Sequence, residues 1–230
     1  MSQTNILNLT KKLELNLTKA GFTTIPIMAV KMAIDKSGSM YEEFRDGFVE
    51  KAIELFMGAA AKFDDNGQLE YTFFNSSADP VKTIGVADYD RIRIPEANGG
   101  TNYTPALRAL IETDPADAQV EKPGFFGKLF GSKPAPTNNG TAADLNYVAF
   151  LTDGDAADTS RTLDYIKSLD DNTFVQFIAI GTQLNMNTLA ELGGRKNTSH
   201  FVIPNPGKLT AEELYEKIAN QKLLTWVNSK

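Results

Sequence analysis

An apolar run, Ile27-Met28-Ala29-Val30-Lys31-Met32-Ala33-Ile34, stops at Asp35-Lys36-Ser37-Gly38-Ser39. That junction restricts the folds open to this chain more than any other stretch. Eight residues bounded by a polar turn suit a β-strand better than a helix. In the turn, a carboxylate and two hydroxyls occupy alternate positions with a small Gly between the serines, which aims three oxygens at one point. Oxygen-only ligands suit a hard cation such as Mg²⁺ rather than Zn²⁺ or Cu²⁺.

Two further oxygen-rich segments follow. Gly99-Gly100-Thr101-Asn102-Tyr103-Thr104-Pro105 precedes a helical pattern carried by Ala106, Leu107, Leu110 and Ile111. Thr152-Asp153-Gly154-Asp155 follows a second apolar run, Tyr147-Val148-Ala149-Phe150-Leu151. Apolar runs and helical patterns alternate from Ile27 onward. Strands are expected at 27–34, 69–74, 145–151, 173–180 and 199–203, and helices at 42–62, 105–113, 158–168, 186–192 and 210–226. Such alternation implies an α/β fold with a doubly wound, mostly parallel central sheet and helices on both faces. Ligands of these sheets sit beyond the carboxyl ends of the strands, which is where Asp35 and Asp153 fall.

The rest of the chain sets the boundaries. Ile6, Leu9, Leu13, Leu17 and Ala20 recur at helical spacing before Gly21, so residues 1–24 read as a helical arm on the domain edge. Residues 25–230 read as one domain, interrupted at about 115–144 by a Gly- and Pro-rich insertion expected to be disordered. Within it, Phe125-Phe126-Gly127-Lys128-Leu129-Phe130 is a basic-aromatic cluster, either a loop anchor or a peripheral docking motif for a partner or membrane surface. Lys and Arg number 23 against 29 Asp and Glu, a net charge of −6, which argues against nucleic acid as the general partner. The chain has no Cys, which removes disulfides, thiolate metal sites and cysteine nucleophiles. No stretch approaches the ~20 apolar residues of a membrane span, and the N-terminus lacks a basic start followed by an apolar block. A soluble, cytoplasmic protein is expected.

The ordered set Asp35, Ser37, Ser39, Thr101 and Asp153 resembles the metal-ion-dependent adhesion site of von Willebrand factor A (vWA) domains, across roughly residues 25 to 227. The segments Asp35-Lys-Ser-Gly-Ser-Met, Phe63-Asp-Asp-Asn-Gly, Phe73-Phe-Asn-Ser, Gly-Gly-Thr-Asn-Tyr and Glu213-Leu-Tyr narrow this to the vWA domain at the C-terminus of bacterial tellurium-resistance proteins. The resemblance implies a Rossmann-like vWA fold in which the hydroxyls of Ser37 and Ser39 bind Mg²⁺ (or Mn²⁺ or Ca²⁺) directly. It implies that Thr101 binds directly or through water, and that Asp35 and Asp153 hold coordinated waters. One position then stays open to an Asp or Glu of a protein partner, in a tellurium or toxic-cation stress system. A metal-dependent phosphoryl-processing enzyme using the same Asp35/Asp153 pocket is the alternative.

Each segment has a plainer explanation alone. Asp and Ser are good helix N-caps, and the Gly-rich and Asp-Gly stretches are ordinary turns. Asp155 and Asp158 either enlarge a negative rim or satisfy a helix N-terminus. Lys36 is expected to point away from the oxygens, Tyr103 to pack within its loop or wall the ligand pocket, His200 to be a satisfied, partly buried imidazole, and Trp226 to be buried. A phosphatase of the haloacid-dehalogenase type would need Asp where Ser37 stands. Neither G-x-x-x-x-G-K-[ST] nor G-x-S-x-G occurs. A non-enzymatic binding module is therefore expected.

Overall fold

Runs of buried apolar residues set the central strands. β1 (Ala29–Asp35), β5 (Asn146–Thr152) and β6 (Thr173–Ile180) are buried along almost their whole length, as strands covered on both faces must be. With β2 (Gln68–Phe74), β3 (Lys82–Gly85), β4 (Gln119–Val120) and β7 (Thr198–Ile203) they form one seven-stranded sheet in the order β4-β3-β2-β1-β5-β6-β7. Strands β2, β1, β5, β6 and β7 run parallel, and β3 pairs antiparallel with β2. This computed structural model describes residues 3–85, 88, 91–113, 119–120, 145–154, 156–181 and 186–230.

Strand periodicity divides the core. Val30, Met32 and Ile34 of β1 face one layer with Tyr147, Ala149 and Leu151 of β5, whereas Ala33, Val148 and Phe150 face the other. The first layer is closed by α1 (Gln3–Lys19), α3 (Phe48–Phe63), α7 (Ala211–Ile218) and α8 (Gln221–Val227). The second is closed by α4 (Tyr103–Glu112), α5 (Thr159–Ser168) and α6 (Met186–Leu192). Helices on both faces of a mostly parallel sheet make this an α/β, doubly wound fold. Chain order reverses between β1 and β5, so the crevice for a ligand lies beyond their carboxyl ends.

Several elements depart from the sequence expectation. The helix expected at 42–62 is two, because Gly47 adopts φ +75° between α2 (Tyr41–Arg45) and α3. The terminal helix expected at 210–226 also divides, because Asn220 caps a new start by accepting from the Leu223 N–H at 3.0 Å. Gln119 and Val120, inside the stretch read as an insertion, pair parallel with β3. The remainder of 115–144, including Phe125–Phe130, lies outside the described residues, as does Asp155.

Helix α1 packs on α3 and α7, and its Leu13 and Leu17 are fully buried. The fit is close. A Cβ on Gly58 of α3 would stand 2.4 Å from the Tyr215 hydroxyl and 2.7 Å from Leu9 Cβ. Trp226 is buried and its indole N–H donates to the Asp171 carbonyl at 2.8 Å. His200 is half-buried, as expected, and lies against Gly193, where a Cβ would meet Nδ1 at 2.3 Å; neither ring nitrogen hydrogen-bonds to the described residues.

Candidate metal centre

Three loops meet over the switch point. The first leaves β1 at Asp35, whose side chain is fully buried. Its Oδ1 accepts from the Ser37 N–H at 2.7 Å and its Oδ2 from the Thr152 hydroxyl at 2.7 Å. Asp35 thereby fixes its own turn and ties it to the end of β5. Ser37 Oγ lies 3.1 Å from Ser39 Oγ, and the Ser39 hydroxyl donates to Asp153 Oδ1 at 2.9 Å. The oxygens run from a buried floor at Asp35 and Ser37 to an exposed mouth at Ser39.

Thr101 is positioned through backbone. Asn98 N–H donates to the Lys36 carbonyl at 2.7 Å, and Gly38 N–H to the Gly99 carbonyl at 3.0 Å. These bonds lay the 98–101 loop along the serine turn. The Thr101 carbonyl accepts from Ala157 N–H at 2.9 Å. Its hydroxyl makes no hydrogen bond to the described residues. The structure thus brings Asp35, Ser37, Ser39 and Asp153 into side-chain contact and sets Thr101 alongside without such a contact.

Lys36 behaves as alternation demands. Its ammonium turns outward and lies 2.7 Å from both carboxylate oxygens of Asp79. The cation nearest in sequence is therefore already paired elsewhere. Burial pushes the Asp35 carboxyl up to about 6, against the hydrogen bonds from Thr152 and Ser37, and the charge of Asp153 adds to the rise. Burial also raises Asp153, opposed by the hydrogen bond from Ser39. Glu43 of α2 is raised by burial and then by Asp153, so it contributes to the same negative field.

The residues that hold the loops resolve readings the sequence had left open. Tyr103, the buried first residue of α4, donates its hydroxyl proton to the Gly154 carbonyl, with Thr152 Oγ1 3.2 Å away. It is a strut under the third loop rather than a pocket wall. Asp158 does not enlarge the rim: its carboxylate accepts from the backbone N–H groups of Tyr103 at 2.8 Å and Thr104 at 3.0 Å, capping α4 from a neighbouring loop. Asn75 accepts through its backbone carbonyl from Asn102 N–H at 2.9 Å, and its amide donates to the Asn98 carbonyl at 3.1 Å. A polar Asn-Ser-Ser turn ending a strand was the available signal for Asn75. For Tyr103 and Asp158 the sequence offered loop packing and a helix N-terminus among its readings but not the partners, which are more than fifty residues away.

The donor set fits a hard divalent cation. All candidate donors are oxygen, two ionisable carboxylates match a dipositive charge, and both resist ionisation where they stand. A nearby cation relieves that resistance by favouring the charged form. Among the described residues no group of three His, Cys, Asp or Glu could hold a metal, and the oxygens that join Asp35 and Asp153 here are the hydroxyls of Ser37 and Ser39.

Comparisons with known proteins agree with the fold. The chain is 22% identical over 204 residues to the uncharacterised protein YcbR of Bacillus subtilis (strain 168), covering 82% of this chain and 73% of that protein. Proximal thread matrix protein 1 from the mussel byssus superposes with a TM-score of 0.61 at 14% identity, over 85% of this chain and 47% of that one. A second structure of it, with a zinc-occupied MIDAS motif, gives 0.55 at 14% identity over 86% and 48%. The von Willebrand factor type A protein from Catenulispora acidiphila gives 0.51 at 18% identity, over 86% and 43%. The chain spans less than half the length of these solved chains. A family model described as the vWA found in the TerF C terminus matches residues 27–230, and the chain therefore belongs to the TerF-like vWA family.

Proposed function

We propose that this domain is a metal-dependent protein-binding module, in which Asp35, Ser37, Ser39, Thr101 and Asp153 hold Mg²⁺ and a partner's Asp or Glu completes the coordination. One observation carries this reading: Ser37 and Ser39 hydroxyls 3.1 Å apart, with Asp153 2.9 Å from Ser39, and Lys36 turned away onto Asp79. Mg²⁺ keeps several waters and takes oxygen ligands in an octahedral array, which suits neutral hydroxyls in contact and carboxylates acting through water. The bound ion supplies a Lewis-acidic position for an incoming carboxylate. Asp35 and Asp153 orient the donors, and the exposure of Ser39 leaves room for a partner. The zinc-occupied motif of the mussel protein supports a divalent ion at the corresponding place. A bacterial tellurium or toxic-cation response is the setting suggested by the family description.

The phosphoryl-processing alternative has less support, because both oxygens of buried Asp35 are engaged by Ser37 and Thr152. The test is calorimetric titration of Mg²⁺ and Mn²⁺ into the chain and Asp153→Ala, followed by partner capture from bacterial lysate with and without EDTA. Saturable binding of the ion and EDTA-sensitive capture, both lost in the variant, are expected. Identical capture in EDTA would refute the metal-mediated reading. Hydrolysis of p-nitrophenyl phosphate lost in Asp153→Ala would establish the enzymatic one.

A further inference from the structure

Among the described residues β7 is the last strand on one side of the sheet. Val175 N–H donates to the Asn197 carbonyl at 3.0 Å and Gly181 N–H to the Ile203 carbonyl at 2.9 Å, so the odd-numbered residues of β7 turn their backbone groups toward β6. In a parallel ladder the alternate residues turn theirs the other way. The N–H and C=O groups of Thr198, His200 and Val202 therefore point off the sheet. Thr198 is already engaged, with its N–H on the Arg195 carbonyl at 3.3 Å and its carbonyl accepting from Lys222 Nζ at 3.2 Å. Pro204, which has no N–H, bounds the other end. Between them the outward backbone groups of His200 and Val202 have no partner among the described residues. An edge of this kind is a template for another strand.

At its His200 end this edge adjoins a groove of about 440 Å³ whose lining includes Gly193, Ser199, His200, Phe201, Lys217 and Lys222 and contains no Asp or Glu. Lys217 Nζ lies 5.8 Å from the centre of the Phe201 ring, and no carboxylate among the described residues pairs with it. Lys222 adds a second positive charge, its ammonium held by the carbonyls of Gly193, Arg195 and Thr198 at 2.6, 3.3 and 3.2 Å. Such a groove is cationic in a chain whose net charge is −6. Pairing of two copies across this edge would set the lysines of one near those of the other, and like charges oppose it. Carboxylates on the incoming strand have the complementary charge.

We propose that the outward-facing stretch of β7 receives an extended, acidic segment of a partner protein as an added strand. His200 and Val202 supply the main-chain hydrogen bonds, and Lys217 selects acidic side chains at alternate positions. This surface lies apart from the metal-centre residues and works without the ion.

An array of immobilised octapeptides alternating Val with Glu, or Val with Lys, is probed with the full chain in EDTA. Retention on the Glu series and not on the Lys series is expected. Lys217→Glu lowers the Glu signal by about tenfold, and Val202→Pro, which deletes the outward N–H, abolishes it. Thermal melts by circular dichroism accompany both variants. Should Val202→Pro melt early, Lys217→Glu at its exposed position carries the test. Equal retention of both series, or undiminished retention by Lys217→Glu, would overturn the proposal. So would a dimer in sedimentation that Val202→Pro dissolves while neither series is retained, because a second copy is then the occupant.

Discussion

The Thr152 hydroxyl donates a hydrogen bond to Asp35, and Asp35 fixes the turn that presents both serine hydroxyls. Thr152→Val keeps the shape and leaves a buried carboxylate oxygen short of a donor, at a cost of about 1–3 kcal/mol. Urea unfolding should register that loss, and calorimetry a weaker Mg²⁺ affinity. Unchanged values in both would show that the hydroxyl is dispensable. The raised carboxyls also set a pH dependence. Asp35 rises from 3.8 to about 6, and Asp153, Glu54 and Asp64 also rise, chiefly through burial. The native state then binds protons that the unfolded state releases, so stability falls as pH increases from about 4 through about 6. With the ion chelated, the urea midpoint should be lower at pH 7 than at pH 4.5, and Mg²⁺ should stabilise more at pH 7. A higher midpoint at pH 7 in EDTA would contradict the burial of an ionised Asp35. At this scale the sequence spoke through local patterns: Asp35, Ser37 and Ser39 share one turn, and Asp153 ends a plain apolar run. Tyr103, Asp158 and Thr152 act across loops, and one-dimensional spacing carries no trace of such partners.

Helix α2 has five residues and carries Glu43 toward the metal centre's negative field. Its separation from α3 depends on Gly47 at φ +75°, where a side chain would be strained although no atom lies within 4 Å of an added Cβ. Gly47→Ala should cost about 1 kcal/mol through backbone conformation alone, read as a lowered urea midpoint with unchanged cooperativity. No loss would mean the break survives without glycine. The apolar pattern continues from Phe44 to Phe48, which is why the sequence reads as one helix there. The parallel strands β1, β5 and β6 were legible as apolar runs, and β2 and β7 by their apolar ends, Tyr71–Phe74 and Phe201–Ile203. β3 and β4 have four and two residues, too few for a period to emerge, and β3 is buried at only its two middle positions.

The family match begins at residue 27, yet the apolar core does not. Ile6, Leu9, Leu13 and Leu17 lie in the same layer as α3 and α7, with burial worth roughly 1.5–3 kcal/mol for each leucine. Leu13→Ala should cost about 2–5 kcal/mol by urea unfolding, and removal of residues 1–24 should expose this layer and raise dye binding to apolar surface. A truncated chain with an unaltered melt would make α1 an accessory. The Lys12–Glu212 salt bridge of α1 is exposed and adds little.

The bond between Lys12 and Glu212 joins residues about two hundred positions apart. Helix α1 meets α3 across a short stretch of chain and α7 across a long one. Contacts of small sequence separation close sooner than those of large separation. The α1–α3 pair is therefore a platform that can assemble early, and the docking of α7 onto it is the slow closure that completes the layer.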